Sequence, residues 1–159
     1  AGADDEQLFA ELFDVLQLAE TDMTLFYRRL ADIPCEHEPE SVCDLLGEAY
    51  YRPEQIDDAV REATASWFGR YRKRVLQGGV CDRQRRERMN QVNPLYVLRN
   101  YLAQLAIDRS EQGDHSGIAE LLEVLRRPYE FRPGFERFSD KRPEWARHRA
   151  GCSMLSCSS

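Results

Sequence analysis

The sequence predicts an all-α protein, an irregular bundle of about six or seven helices. Three observations carry this expectation. Apolar residues recur at three- and four-residue spacing along most of the chain. No stretch alternates apolar and polar residues at period two, so no sheet is expected. Helix-stopping residues, among them Pro34, Gly78-Gly79, Gly113 and Pro128, fall where the apolar stripes end.

Taken in order, Leu8, Phe9, Leu12, Phe13 and Leu16 make the first stripe. Met23, Phe26, Tyr27 and Leu30 make a second, opened after Asp22 and stopped before Pro34. IPCEHEPE reads as a loop, and Val42, Leu45, Leu46 and Ala49 mark a short third helix. Pro53 suits a first helical turn, where a missing N–H is harmless. From there Ile56, Val60, Ala63, Trp67 and Tyr71 form a long stripe. Asp82 is placed as the cap of a basic helix, DRQRRERMNQ, and Asn93-Pro94 as the N-cap and first residue of the next. That next helix carries Leu95, Val97, Leu98, Tyr101, Leu102, Leu105 and Ala106. Ser116 or Asp114 opens the last strong helix, with Ile118, Leu121, Leu122 and Leu125. The predicted core is Leu12, Leu16, Phe26, Leu30, Leu45, Ile56, Val60, Trp67, Tyr71, Val97, Leu98, Leu102, Leu105, Leu121, Leu122 and Leu125.

Residues 1–127 are thus grouped as a helical domain. Residues 128–150 differ: Tyr129, Phe131, Phe135, Phe138 and Trp145 lie among Pro128, Pro133, Gly134 and Pro143. This reads as an irregular aromatic- and proline-rich segment pinned to the helices by its rings. Residues 151–159 read as a flexible tail ending in Cys-Ser-Ser.

The bulk numbers limit the function classes. A chain of 159 residues that is 42% hydrophobic and 31% charged reads as a soluble globular domain. Apolar runs are only a few residues long, so no membrane span is expected. The start, AGADDEQ, is acidic and does not read as a secretory signal. Five scattered cysteines, an odd number, favour free thiols in a reducing compartment, with the cytoplasm as the expected location. The net charge of -6 divides into -13 over residues 1–66 and +7 over the remainder. The two halves therefore suit mutual attraction or different partners.

Catalytic patterns are not found. His37, His115 and His148 sit in no triad or HExxH spacing, and there is no GxGxxG or P-loop. Cys35, His37 and Cys43 are three zinc-capable side chains, but their spacing matches no zinc signature, so no metal is expected. Arg70, Arg72, Lys73, Arg74, Arg83, Arg85, Arg86 and Arg88 place eight cations in 19 residues, the one nucleic-acid candidate. Overall acidity opposes phosphate binding, and a solvated face or a dock for an acidic surface fits better. Cys152 and Cys157 stand near the C-terminal end, where an exposed thiol can exchange with a partner. No cation lies among the last eight residues to lower a thiol pKa.

One string is more specific. MNQVNPLYVLRNYLAQLAI resembles the C-terminal signature of the SelO (YdiU) family, pseudokinase-fold protein adenylyltransferases. Ala65-Ser66-Trp67 with Tyr71-Arg72-Lys73-Arg74, GDHSGIAELLEVLRRPYE, RPEWA and the ending SCSS are similar to further family elements, in order. The resemblance is strongest over residues 56–159.

The resemblance implies the C-terminal part of a longer enzyme that transfers AMP from ATP to Ser, Thr or Tyr of proteins. ATP and Mg2+ then belong to kinase-like lobes outside these residues. No catalytic residue, cofactor or metal site is carried over to this chain. The expected partners are those lobes in the same polypeptide and, through them, protein substrates. The expected location is the bacterial cytoplasm. Cys157 matches the family's terminal Cys or selenocysteine and is implied to be the redox residue, with Cys152 an added thiol able to pair with it. Arg99 and Asn100, polar within an apolar helix, read as a solvent-side stripe or as inter-domain contacts, hydrogen bonding to the missing lobes or to the irregular segment after Pro128. The alternative reading is a free-standing helical module that binds protein or nucleic acid through its basic or aromatic face.

Overall fold

The computed structural model describes residues 2–152. Seven α-helices form among the described residues: α1 (Ala3–Leu18), α2 (Met23–Asp32), α3 (Val42–Leu45), α4 (Asp58–Gln77), α5 (Asp82–Val92), α6 (Asn100–Glu111) and α7 (Ser116–Leu125). No strand is present among them; one isolated antiparallel bridge pairs Thr21 with Tyr50. The all-α expectation holds. The chain separates into two compact units, residues 1–93 and 94–159. The aromatic segment, residues 128–150, belongs to the second unit.

The first unit is built on the pairing of α1 with α4. Leu12 and Val15 of α1 pack in one core with Val60, Trp67 and Phe68 of α4 and Phe26 and Leu30 of α2. Burying each large apolar side chain contributes about 1.5–3 kcal/mol. The Trp67 indole N–H donates to the Leu8 carbonyl at 3.1 Å, so its polar edge is satisfied inside. Asp22 caps α2, accepting from Leu25 N–H at 3.1 Å. The short turns from Pro39 to Ala49 bury Val42, Cys43, Leu46 and Ala49. Leu45 instead points outward, 44% exposed, because α3 is a single turn and the helical spacing does not propagate through it.

Two helix starts differ from the expectation. Pro53 forms a separate 3-10 turn, and α4 begins at Asp58. Asp57 supplies the cap, accepting from Val60 N–H at 2.9 Å, a stronger signal than a first-turn proline alone. Asp82 is the first residue of α5, not its cap; Cys81 holds the cap position. At its end α4 closes on Gly78, and Gly79 follows at φ 65°, a left-handed angle that glycine takes without strain.

The second unit is a hairpin of α6 and α7 with the aromatic segment over it. Asn93 is not an N-cap. It closes α5, its N–H donating to Met89 O, and its extended backbone suits a residue before proline. Residues 94–99 stay out of the helix because Leu95 and Tyr96 both donate to the Pro128 carbonyl, at 2.7 and 3.0 Å. Helix α6 therefore starts at Asn100. Gly117 lets α7 approach α6 closely; a Cβ there would sit 3.3 Å from the Ala106 Cα. That contact turns Leu121 and Val124 inward and leaves Ile118 and Leu122 outside. Leu98 and Leu105 are exposed too, so three leucines assigned to the core by spacing face outward in this unit. Leu102, assigned to the core, is joined there by Tyr96, Tyr101, Phe138, Ala146 and Cys152.

Candidate functional site

The most constrained polar centre lies in the first unit. Arg85 of α5 is 5% exposed. Its guanidinium donates to the carbonyls of Leu30, Ala31 and Ile33 at the end of α2, and to Tyr71 Oη at 3.1 Å. The carbonyls of a helix's last turn lack the usual intrahelical donors; Leu30 O here also accepts from the Ile33 N–H at 3.3 Å. Arg85 Nε also donates to Asp82 Oδ1 at 3.2 Å, and the same carboxylate accepts from Cys35 N–H. Burial works to raise the Asp82 pKa, but the Cys35 and Arg85 bonds hold it below the usual value. Burial pushes the neighbouring Cys35 thiol up to about 11, so it stays protonated and inert. The cluster ties α2, α4 and α5 together, with the Asp82 side chain partly exposed at its edge.

Beside it, α1, α4 and α5 leave an open cleft of about 780 Å³. Leu8, Trp67, Tyr71, Val75 and Met89 line it, with Arg74 and Arg88 among its charged residues. Its lips are Phe9 and Val92, 62% and 72% exposed. A contiguous exposed apolar concavity of this kind is a candidate binding surface.

The family model "Protein adenylyltransferase SelO" matches residues 1–126. The chain belongs to the SelO family. It is similar to the "Protein nucleotidyltransferase YdiU" of Rhodopirellula baltica, 56% identical over 165 residues covering 98% of this chain and 31% of that protein. The proteins of the same name from Tolumonas auensis and Aromatoleum aromaticum are 53% and 51% identical, over 98% and 99% of this chain and 29% of each relative. The chain thus spans about 30% of the length of the SelO-family relatives it matches.

The residues singled out by sequence are scattered rather than gathered. Cys157 lies outside the described residues. Cys152 is buried, 2% exposed, and packs with Tyr101, Leu102 and Ala146 in the second unit's core. Arg99 holds the N-cap position of α6 and Asn100 its first turn, both half-buried. Cys35, His37 and Cys43 do not converge: His37 Nε2 is 2.8 Å from Ser41 Oγ, and Cys43 Sγ is 3.5 Å from Tyr50 Oη. The basic run disperses as well. Arg70 pairs with Glu11, Arg74 with Asp5, Arg72 donates to His37 O, and Arg85 is internal. No helix among the described residues is long and apolar enough to cross a membrane.

Arg85 and the cleft are the features that sequence spacing misses. On α5 the inward stripe is Asp82, Arg85 and Met89, with a single apolar member, so it reads as a solvated face. The positions three and four apart from Arg85, an acid and a methionine, are the signal available.

Proposed function

We propose that this chain is the non-catalytic C-terminal helical part of a SelO-family protein adenylyltransferase, bracing kinase-like lobes that lie outside it. The observation that carries this is the lopsided match: nearly all of this chain aligns with about 30% of each relative. The lobes bind ATP and Mg2+ and transfer AMP to Ser, Thr or Tyr hydroxyls of proteins in the bacterial cytoplasm. Mg2+ bound there would supply charge neutralisation on the phosphates. The helices of this chain add rigidity and surface. Its buried Arg85 is committed to internal carbonyls, which suits a scaffold. Cys157 is the redox residue, pairing with a cysteine of the catalytic part, while burial withholds Cys152 from exchange.

The test is transfer of label from ATP labelled at the α-phosphate, with Mg2+. The full-length protein is expected to label itself or added proteins, and the 159-residue chain to label nothing. Labelling by this chain alone refutes the scaffold role. Full activity in a version lacking these residues refutes the bracing role, and an inactive full-length protein refutes AMP transfer.

A further inference from the structure

We infer that the cleft between α1, α4 and α5 seats an acidic amphipathic helix from the part of the same polypeptide outside residues 1–159. This rests on the proposal that the chain belongs to a longer enzyme, and it names the surface through which the two parts meet. The floor of the cleft is apolar, and Phe9 and Val92 carry the apolar surface over its lips into solvent. A small ligand sits inside a concavity and leaves such lips wet. A helix laid in a groove covers floor and lips together, with anchors at three- and four-residue spacing.

Charge selects the flanks of that helix. Among the described residues the only acid lining the cleft is Asp5, and it is held by Arg74, whose Nε lies 2.6 Å from its carboxylate. Arg85 is turned into the α2 carbonyls, and Arg88 is exposed. The lining is therefore net basic, and Asp or Glu beside the apolar anchors complements it. The source follows from length. About 70% of each relative lies outside the matched region. A segment tethered in the same chain competes at an effective concentration that a free partner rarely reaches.

The experiment places a benzophenone-bearing photo-cross-linking residue at Val92, and separately at Phe9, in the full-length protein. Both positions are exposed in this unit, so folding tolerates the change, and agreement between the two guards against a local disturbance. Irradiation is expected to give an intramolecular cross-link to one peptide outside residues 1–159 that carries acids next to apolar residues. Arg88→Glu is expected to cut the yield roughly fivefold by opposing those acids. Cross-links to a second copy, cross-links confined to residues 1–159, or a bound small molecule seen in the native mass spectrum with no cross-link would each overturn the inference. Intact AMP transfer with an open cleft sinks this inference alone. A correct cross-link in a protein that transfers no AMP sinks the proposed activity alone.

Discussion

Replacing Arg85 by methionine keeps most of the side chain's length and apolar volume but removes its charge and donors. Three carbonyls, those of Leu30, Ala31 and Ile33, then lose their guanidinium partner inside the core, as does the Tyr71 hydroxyl. An unsatisfied buried acceptor costs about 1–3 kcal/mol, and breaking one side of a buried charged network costs about 3–5 kcal/mol in total. The Asp82 side chain is 41% exposed, so water screens its loss, and the carbonyls dominate the penalty. We expect about 3–5 kcal/mol of destabilisation. In a domain of this size each kcal/mol moves Tm by about 4–8 °C, so the first unit melts at least about 12 °C lower. The assay is urea and thermal unfolding followed by Trp67 fluorescence. Arg85→Lys, which keeps the charge but reaches fewer carbonyls, falls between. A loss under about 1 kcal/mol in Arg85→Met, with the urea slope unchanged, refutes the assigned role of these hydrogen bonds.

Thiol labelling should separate the cysteines. Cys81 is exposed and reacts with iodoacetamide in the native state, whereas Cys35, Cys43 and Cys152 are buried and react on unfolding; rapid native labelling of Cys35 on mass spectrometry would contradict its raised pKa. On the proposed redox role, Cys157 of the full-length protein is expected to form a disulfide under mild oxidant, and finding it free throughout would refute that proposal. Asp114 gives a pH test. Bonds from Ser116 and then Arg109 hold its carboxyl at about 2, below the usual 3.8. A depressed carboxylate contributes stability above its unfolded pKa and loses it as pH falls through the folded one. The turn between α6 and α7 therefore loosens between about pH 4 and pH 2. An NMR titration of Asp114 checks this, and a midpoint near 4 would refute it.

Helix positions were legible because two signals agree wherever they occur together: an apolar stripe and a stop. Gly78-Gly79 and Pro128 ended helices as spacing expects. Side-chain facing was less legible. Leu122 and Leu121 are equivalent in composition, and only the close approach at Gly117 decides which one is buried. Asn93-Pro94 carries a helix-start pattern, but the bonds from Leu95 and Tyr96 to Pro128 override it, and their partner lies more than thirty residues away. The candidate site was least legible. Arg85 sits in a run of charged residues that looks wholly solvated, and its carbonyl partners on α2 lie some fifty residues upstream. A cleft lined from four helices has no signature in any one of them.

The burial of Cys152 has a consequence for the second unit. Gly151 turns at φ 78° just before it, and the Cys152 N–H donates to Arg149 O at 3.1 Å. The thiol is a plug set into the wall that Tyr101, Leu102 and Ala146 make. A reagent that modifies it must first open that wall, so its labelling rate reads the opening of this unit.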